Sequence, residues 1–127
     1  MYILKNVEPI FIPEGTIMFR ELEEIQEVIF VGTGNVHVGF EINRRTKFVV
    51  QFTDKAIIGA YNCANNTKTI FVYKSASDVK GLMLRKLVWQ DLMNEYGQIS
   101  EYFRENIEHT YLTEIKERVL QEKRKYM

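Results

Sequence analysis

The chain is short of the residues from which most catalytic and metal centres are built. It has one cysteine, Cys63, and two histidines, His37 and His109. An internal disulfide is therefore excluded, and a jelly-roll metal site of three or four inward histidine or carboxylate ligands would find only two histidines, on different elements. The lone thiol fits a reducing compartment. No stretch approaches the ~20 apolar residues that cross a bilayer, and the N-terminus lacks the basic start and small-residue cleavage site of a signal peptide, so the piece is expected to be soluble. Lys plus Arg and Asp plus Glu are 17 each, which leaves no net field to draw nucleic acid or an anionic membrane. No repeat, linker or low-complexity tract is present, and no Ser-His-Asp set, glycine-rich phosphate loop or cysteine pair appears.

What remains is ordinary globular material. Of 127 residues, 46% are hydrophobic and 27% charged, enough for one core in one domain spanning 1–127. The first two-thirds read as short strands, because apolar residues come in brief β-branched runs divided by turn chemistry. Val7–Ile12 stops at Pro13-Glu14-Gly15, and Thr16–Phe19 restarts. Glu21–Glu27 reads as a solvated acidic loop. Val28–Thr33, Gly34-Asn35 and Val36–Ile42 read as a hairpin whose second arm alternates Val36, Val38, Phe40, Ile42 with polar partners. Asn43–Thr46 reads as a turn and Lys47–Phe52 as a strand. Ala60–Asn66 is too polar for a strand and suits a helical turn, and Thr69–Ser75 and Val79–Arg85 close the strand half.

From Lys86 the period becomes helical. Leu87, Val88, Leu92 and Met93 mark a short amphipathic element closed near Gly97. A longer helix runs from Gln98 to about Lys125. Its first stripe, Ile99, Phe103 and Ile107 with Tyr102 beside it, suits packing on the strands. A second stripe, Leu112, Ile115 and Val119, points roughly the opposite way at ~100° per residue. The helix must then break near His109-Thr110, its tail folding back on its own domain, or offer that tail to a partner, with Leu112, Ile115 and Val119 as contact residues. The fold class is α+β: an antiparallel, jelly-roll-like β-roll of about eight strands over 7–85, followed by C-terminal helices over 86–125.

Four motifs in order resemble the cyclic-nucleotide-binding domains. Ile10–Ile17 resembles that family's entry strand and turn, and Val28–Val38 its aromatic-rich strand, spacer, glycine and Val-x-Val strand. Ile58-Gly59 falls where the family has Phe-Gly, and Val79–Met93 matches its last strand and first C-terminal helix, with Trp89 at the aromatic position. The absence of a following helix-turn-helix and of a second tandem copy makes the chain look most like the domain carried by voltage-gated or cyclic-nucleotide-gated cation channels of the potassium type. The resemblance implies a non-enzymatic regulatory domain on the cytoplasmic face of a membrane, partnered by the rest of a channel subunit and by neighbouring subunits, with no nucleic acid and no metal.

The same resemblance locates the ligand pocket at Gly59, Ala60, Tyr61, Lys68, Thr69 and Ile70. A cyclic nucleotide buries a phosphate and a ribose hydroxyl, and the family meets them with an Arg and a Glu. Here those places hold Thr69 and Ala60. Thr69 can give one neutral hydrogen bond where a guanidinium gives two charge-assisted ones of roughly 1.5–3 kcal/mol each. Cyclic AMP or cyclic GMP is expected to bind weakly or not at all, so no cofactor is expected. The run Tyr61–Asn66 would fill the pocket with the chain's own groups. The alternative is a working cyclic AMP or cyclic GMP sensor using Lys68 and the amides after Gly59.

Overall fold

The computed structural model describes residues 6–95 and 97–126. Its strands are β1 (Glu8–Ile12), β2 (Ile17–Phe19), β3 (Glu27–Thr33), β4 (Val36–Ile42), β5 (Arg45–Phe52), β6 (Ile57–Ile58), β7 (Val72–Ser75) and β8 (Val79–Arg85). They form two antiparallel four-stranded sheets, ordered β1-β8-β3-β6 and β2-β7-β4-β5. Helix α1 (Ala60–Asn65) interrupts the strands, and α2 (Lys86–Glu95), α3 (Gly97–His109), a π-helical segment (Thr110–Glu117) and α4 (Arg118–Arg124) follow them.

The alternation along β4 is what places it. Val36, Val38 and Phe40 are fully buried between the sheets, while His37 pairs with Gln51 of β5 at 2.9 Å. The turn into β5 is Asn43-Arg44 alone, with φ of 51° and 63°. Two left-handed residues match the twist of the flanking strands, so Arg45 and Thr46, expected in the turn, already belong to the ladder. A bulge between Val38 and Gly39 shifts the register, and a Cβ on Gly39 would stand 1.9 Å from the Lys47 carbonyl oxygen. At Pro13-Glu14-Gly15 the reversal has the form expected from sequence: Gly15 has φ of 84°, and the Thr16 amide donates to the Pro13 carbonyl at 3.3 Å.

The expected β3–β4 hairpin does not form. β3 pairs with β8 and β6, and β4 pairs with β5 and β7, so Gly34-Asn35 carries the chain from one sheet to the other. Other loops hold this crossing, through Gly34 N–H to Asp54 Oδ1 at 3.0 Å and Asn35 N–H to Ser77 Oγ at 2.9 Å. Alternation tells which face of a strand is inward but not which strand lies beside it, and two facing sheets satisfy both arms equally. The strand expected over Thr69–Ser75 begins only at Val72, and in the acidic loop Ile25 is buried.

The helical half closes the core. Trp89, Leu92 and Met93 are buried on one face of α2, at the i, i+3, i+4 spacing of an amphipathic helix. Beyond α3 the chain neither breaks nor turns its second stripe outward. In an α-helix, apolar residues every four positions drift about 40° per step. The wider i→i+5 turns of the π segment take up that drift, so Tyr111, Ile115 and Val119 are all buried against their own domain. Ile115 and Val119 are thus core residues rather than partner contacts, and only Leu112 of that stripe is exposed. In the first stripe, Ile107 is half-buried and Phe103 partly exposed, while the side chain of Ile99 lies outside the described residues.

Helix α4 ends on β4 and β5. Lys47 of β5 donates to the Tyr126 hydroxyl and lies 3.2 Å from Glu122, which Lys125 also contacts at 3.0 Å. The hydrogen bonds to Tyr126 and then Glu122 raise the Lys47 pKa, and those from Lys125 and then Lys47 lower that of Glu122. The Tyr126 ring packs 6.1 Å from Phe40. Such exposed pairs orient the tail more than they stabilise it.

Two outcomes follow. Val119→Ala should cost about 2 kcal/mol and lower Tm by several degrees, whereas Leu112→Ala should change Tm little, as read by thermal denaturation. Cys63 is buried with its thiol 3.5 Å from the Ile25 carbonyl, and burial pushes its pKa from 9.0 up to about 11. The folded state therefore holds that proton after the unfolded state has lost it, so stability should fall as pH rises from 9 to 11. Denaturant titrations of Cys63→Ala should show a shallower fall over the same interval.

Candidate functional site

A cavity of about 390 Å³ lies between the strands and the C-terminal helix. Gly59 sets its floor. With φ of 86° it turns β6 into α1, and a Cβ there would meet the Glu27 carbonyl oxygen at 2.8 Å. Ala60 is buried, and Tyr61 reaches the roof, where its ring stacks on Tyr111 of the π segment with centroids 3.9 Å apart and planes 8° from parallel. Tyr73 enters from β7 and packs edge-on against Phe19. Tyr102, Phe103 and Ile107 line the helix side.

Of the six expected pocket residues the structure brings Gly59, Ala60 and Tyr61 to this cavity and leaves the other three off its wall. Thr69 is completely buried, and its hydroxyl is committed to its own turn, donating to the Phe71 carbonyl at 3.0 Å and accepting from the Phe71 amide at 3.1 Å. Lys68 is exposed, bridges to Glu24 through the backbone and accepts at its carbonyl from Asn62 Nδ2 at 3.2 Å. Ile70 is partly exposed outside the wall. Lys68 and Thr69 join the loop after α1 to the acidic loop, where Leu22 N–H donates to the Thr69 carbonyl at 2.7 Å.

The run Tyr61–Asn66 does not fill the pocket either. It is helical through Asn65, and Asn66 caps it with φ of 53°. Asn62 and Cys63 are buried, and of this run Tyr61 and Asn62 line the cavity, leaving its space open. With six residues, α1 presents few aligned amides to an anion.

Sequence reasoning missed the lining residues Lys55, Tyr73, Asn106, Thr110, Tyr111 and Glu114. The available signal was Tyr111, which stands four positions from both Ile107 and Ile115. Lys55 and Glu114, the charged members of the wall, are both exposed and opposite in sign. Burial raises the Tyr111 phenol to about 12, with Tyr61 adding to it, and raises the Tyr73 phenol further. Both are neutral hydroxyls at physiological pH. Among the described residues no cluster of three or more potential metal ligands occurs, and no helix is long and apolar enough to cross a membrane.

No family model and no curated sequence matches the chain. Solved structures do. The C-linker/CNBHD of zELK channels, crystallised in the presence of cAMP, is 16% identical with a TM-score of 0.68 over 82% of this chain and 52% of that one. The regulatory domain of Toxoplasma gondii PKA with cAMP is 15% identical with a TM-score of 0.63, over 68% of this chain and 33% of that one. The sensor domain of the transcriptional regulator DNR from Pseudomonas aeruginosa is 9% identical with a TM-score of 0.71, over 90% and 77%. The chain spans only 29% of a similar cAMP-binding acyltransferase from Mycobacterium smegmatis and 26% of a cGMP-bound EAL enzyme. Two four-stranded antiparallel sheets, a short helix inside the strand half and helices after it are thus the fold that this chain shares with the cyclic-nucleotide-binding domains.

Proposed function

We propose that the chain is a non-enzymatic regulatory module whose nucleotide pocket has lost cyclic-nucleotide control. One observation carries this reading. Thr69, which the count from Gly59 puts in the cation's place, lies off the wall with its hydroxyl spent on the backbone of Phe71, and Ala60, which the count puts in the acceptor's place, has no polar group to offer. A phosphate in this cavity would be desolvated with no buried cation to receive it, because Lys55, its one lysine or arginine among the described wall residues, is exposed. The likeness to zELK channels supports placing the module on the cytoplasmic face of a potassium-type channel subunit, where it would act in gating or assembly with the rest of that subunit and its neighbours.

The working-sensor alternative needs Lys68 at the phosphate. Its backbone bridge to Glu24 and its exposed side chain, off the cavity wall, count against it. Calorimetric titration with cyclic AMP and cyclic GMP should give no saturable heat. Saturation in the low micromolar range would overturn the reading.

A further inference from the structure

The cavity has a chemistry of its own. Tyr73 is 1% exposed and Tyr111 6%. Both line the cavity, and among the described residues neither hydroxyl has a hydrogen-bond partner. A tyrosine hydroxyl on a mostly buried ring usually finds an acceptor, in the protein or in what fills the space beside it. Two neutral donors therefore face a space walled mainly by rings and aliphatic side chains. At its edge stand Tyr102, 67% exposed, and Phe103, 37% exposed, with rings 6.0 Å apart in a T-shaped pair. Exposed aromatic rings beside a cavity mark a contact surface.

We propose that this cavity binds an uncharged, planar, mainly apolar molecule of about two fused rings, whose oxygen acceptor receives the hydroxyls of Tyr73 and Tyr111. The inference rests on the reading that the pocket no longer holds cyclic nucleotide, and deepens it by naming the ligand class. Size sets the ring number, since about 390 Å³ is near the lower end of ligand pockets. Charge sets neutrality, since Lys55 and Glu114 are opposite in sign and both exposed. The two phenols set the acceptor, since both line the cavity and both are donors.

The test compares two probes of nearly equal shape, 2-acetylnaphthalene with its ketone oxygen and 2-ethylnaphthalene without one, by NMR titration of the isotopically labelled chain. Amide shifts should centre on Gly59, Tyr61 and Thr110, and the ketone should bind roughly three- to tenfold more tightly. That preference should vanish in Tyr73→Phe with Tyr111→Phe, which removes only the hydroxyls. Absence of binding, absence of a preference, or a preference that survives the double substitution overturns the proposal. Should the double variant fail to fold, Phe103→Ala decides, because it should weaken both probes several-fold and unchanged affinities would place them elsewhere. Adding cyclic AMP separates the two readings: binding of the nucleotide overturns the loss of nucleotide control, while the acceptor preference alone judges the aromatic site.

Discussion

The seating of the C-terminal helix on the strands is the constraint from which the rest follows. Ile107, Tyr111, Ile115 and Val119 recur at every fourth position, a spacing that a regular α-helix would wind away from any flat surface. The π segment Thr110–Glu117 removes the drift and keeps the row against the domain. As a result Tyr111 lies over Tyr61, and the tail reaches Lys47 and Phe40 of the second sheet. The roof of the cavity and the anchoring of the tail are one packing event.

This explains why the strands were more legible in the sequence than the helix or the site. β8 spans Val79–Arg85, the bounds read from the sequence, and Asn43-Arg44 announces a reversal by its composition. Strand neighbours are another matter, because period-two alternation fixes a face and leaves the partner open, and the crossing at Gly34-Asn35 reads like a hairpin for that reason. A helix reading at ~100° per residue likewise splits one continuous row into two opposed stripes. The change of period is a local backbone state for which no single residue type provides a signal.

The site shows the same limit. Counting from Gly59 leads to Ala60 and Tyr61, which line the cavity because α1 follows the glycine without interruption. Beyond Asn66 the count loses its meaning, because the loop turns Thr69 inward to its own backbone and Lys68 outward to solvent. The wall is completed by Tyr73 and Tyr111, residues distant in sequence that a local motif cannot connect. A fold shared with cyclic-nucleotide-binding domains here encloses a cavity walled largely by aromatic and aliphatic side chains, with Lys55 and Glu114 as its charged members.

In the free chain the helix should hold the roof of the cavity in π register, with no nucleotide needed. Nuclear Overhauser spectra of the free chain measure it directly, through contacts between the rings of Tyr61 and Tyr111 and between those of Phe40 and Tyr126. Both sets should be present and unmoved by excess cyclic AMP. If they are missing from the free chain, or emerge only when nucleotide is added, the helix is not held as described and the account is contradicted.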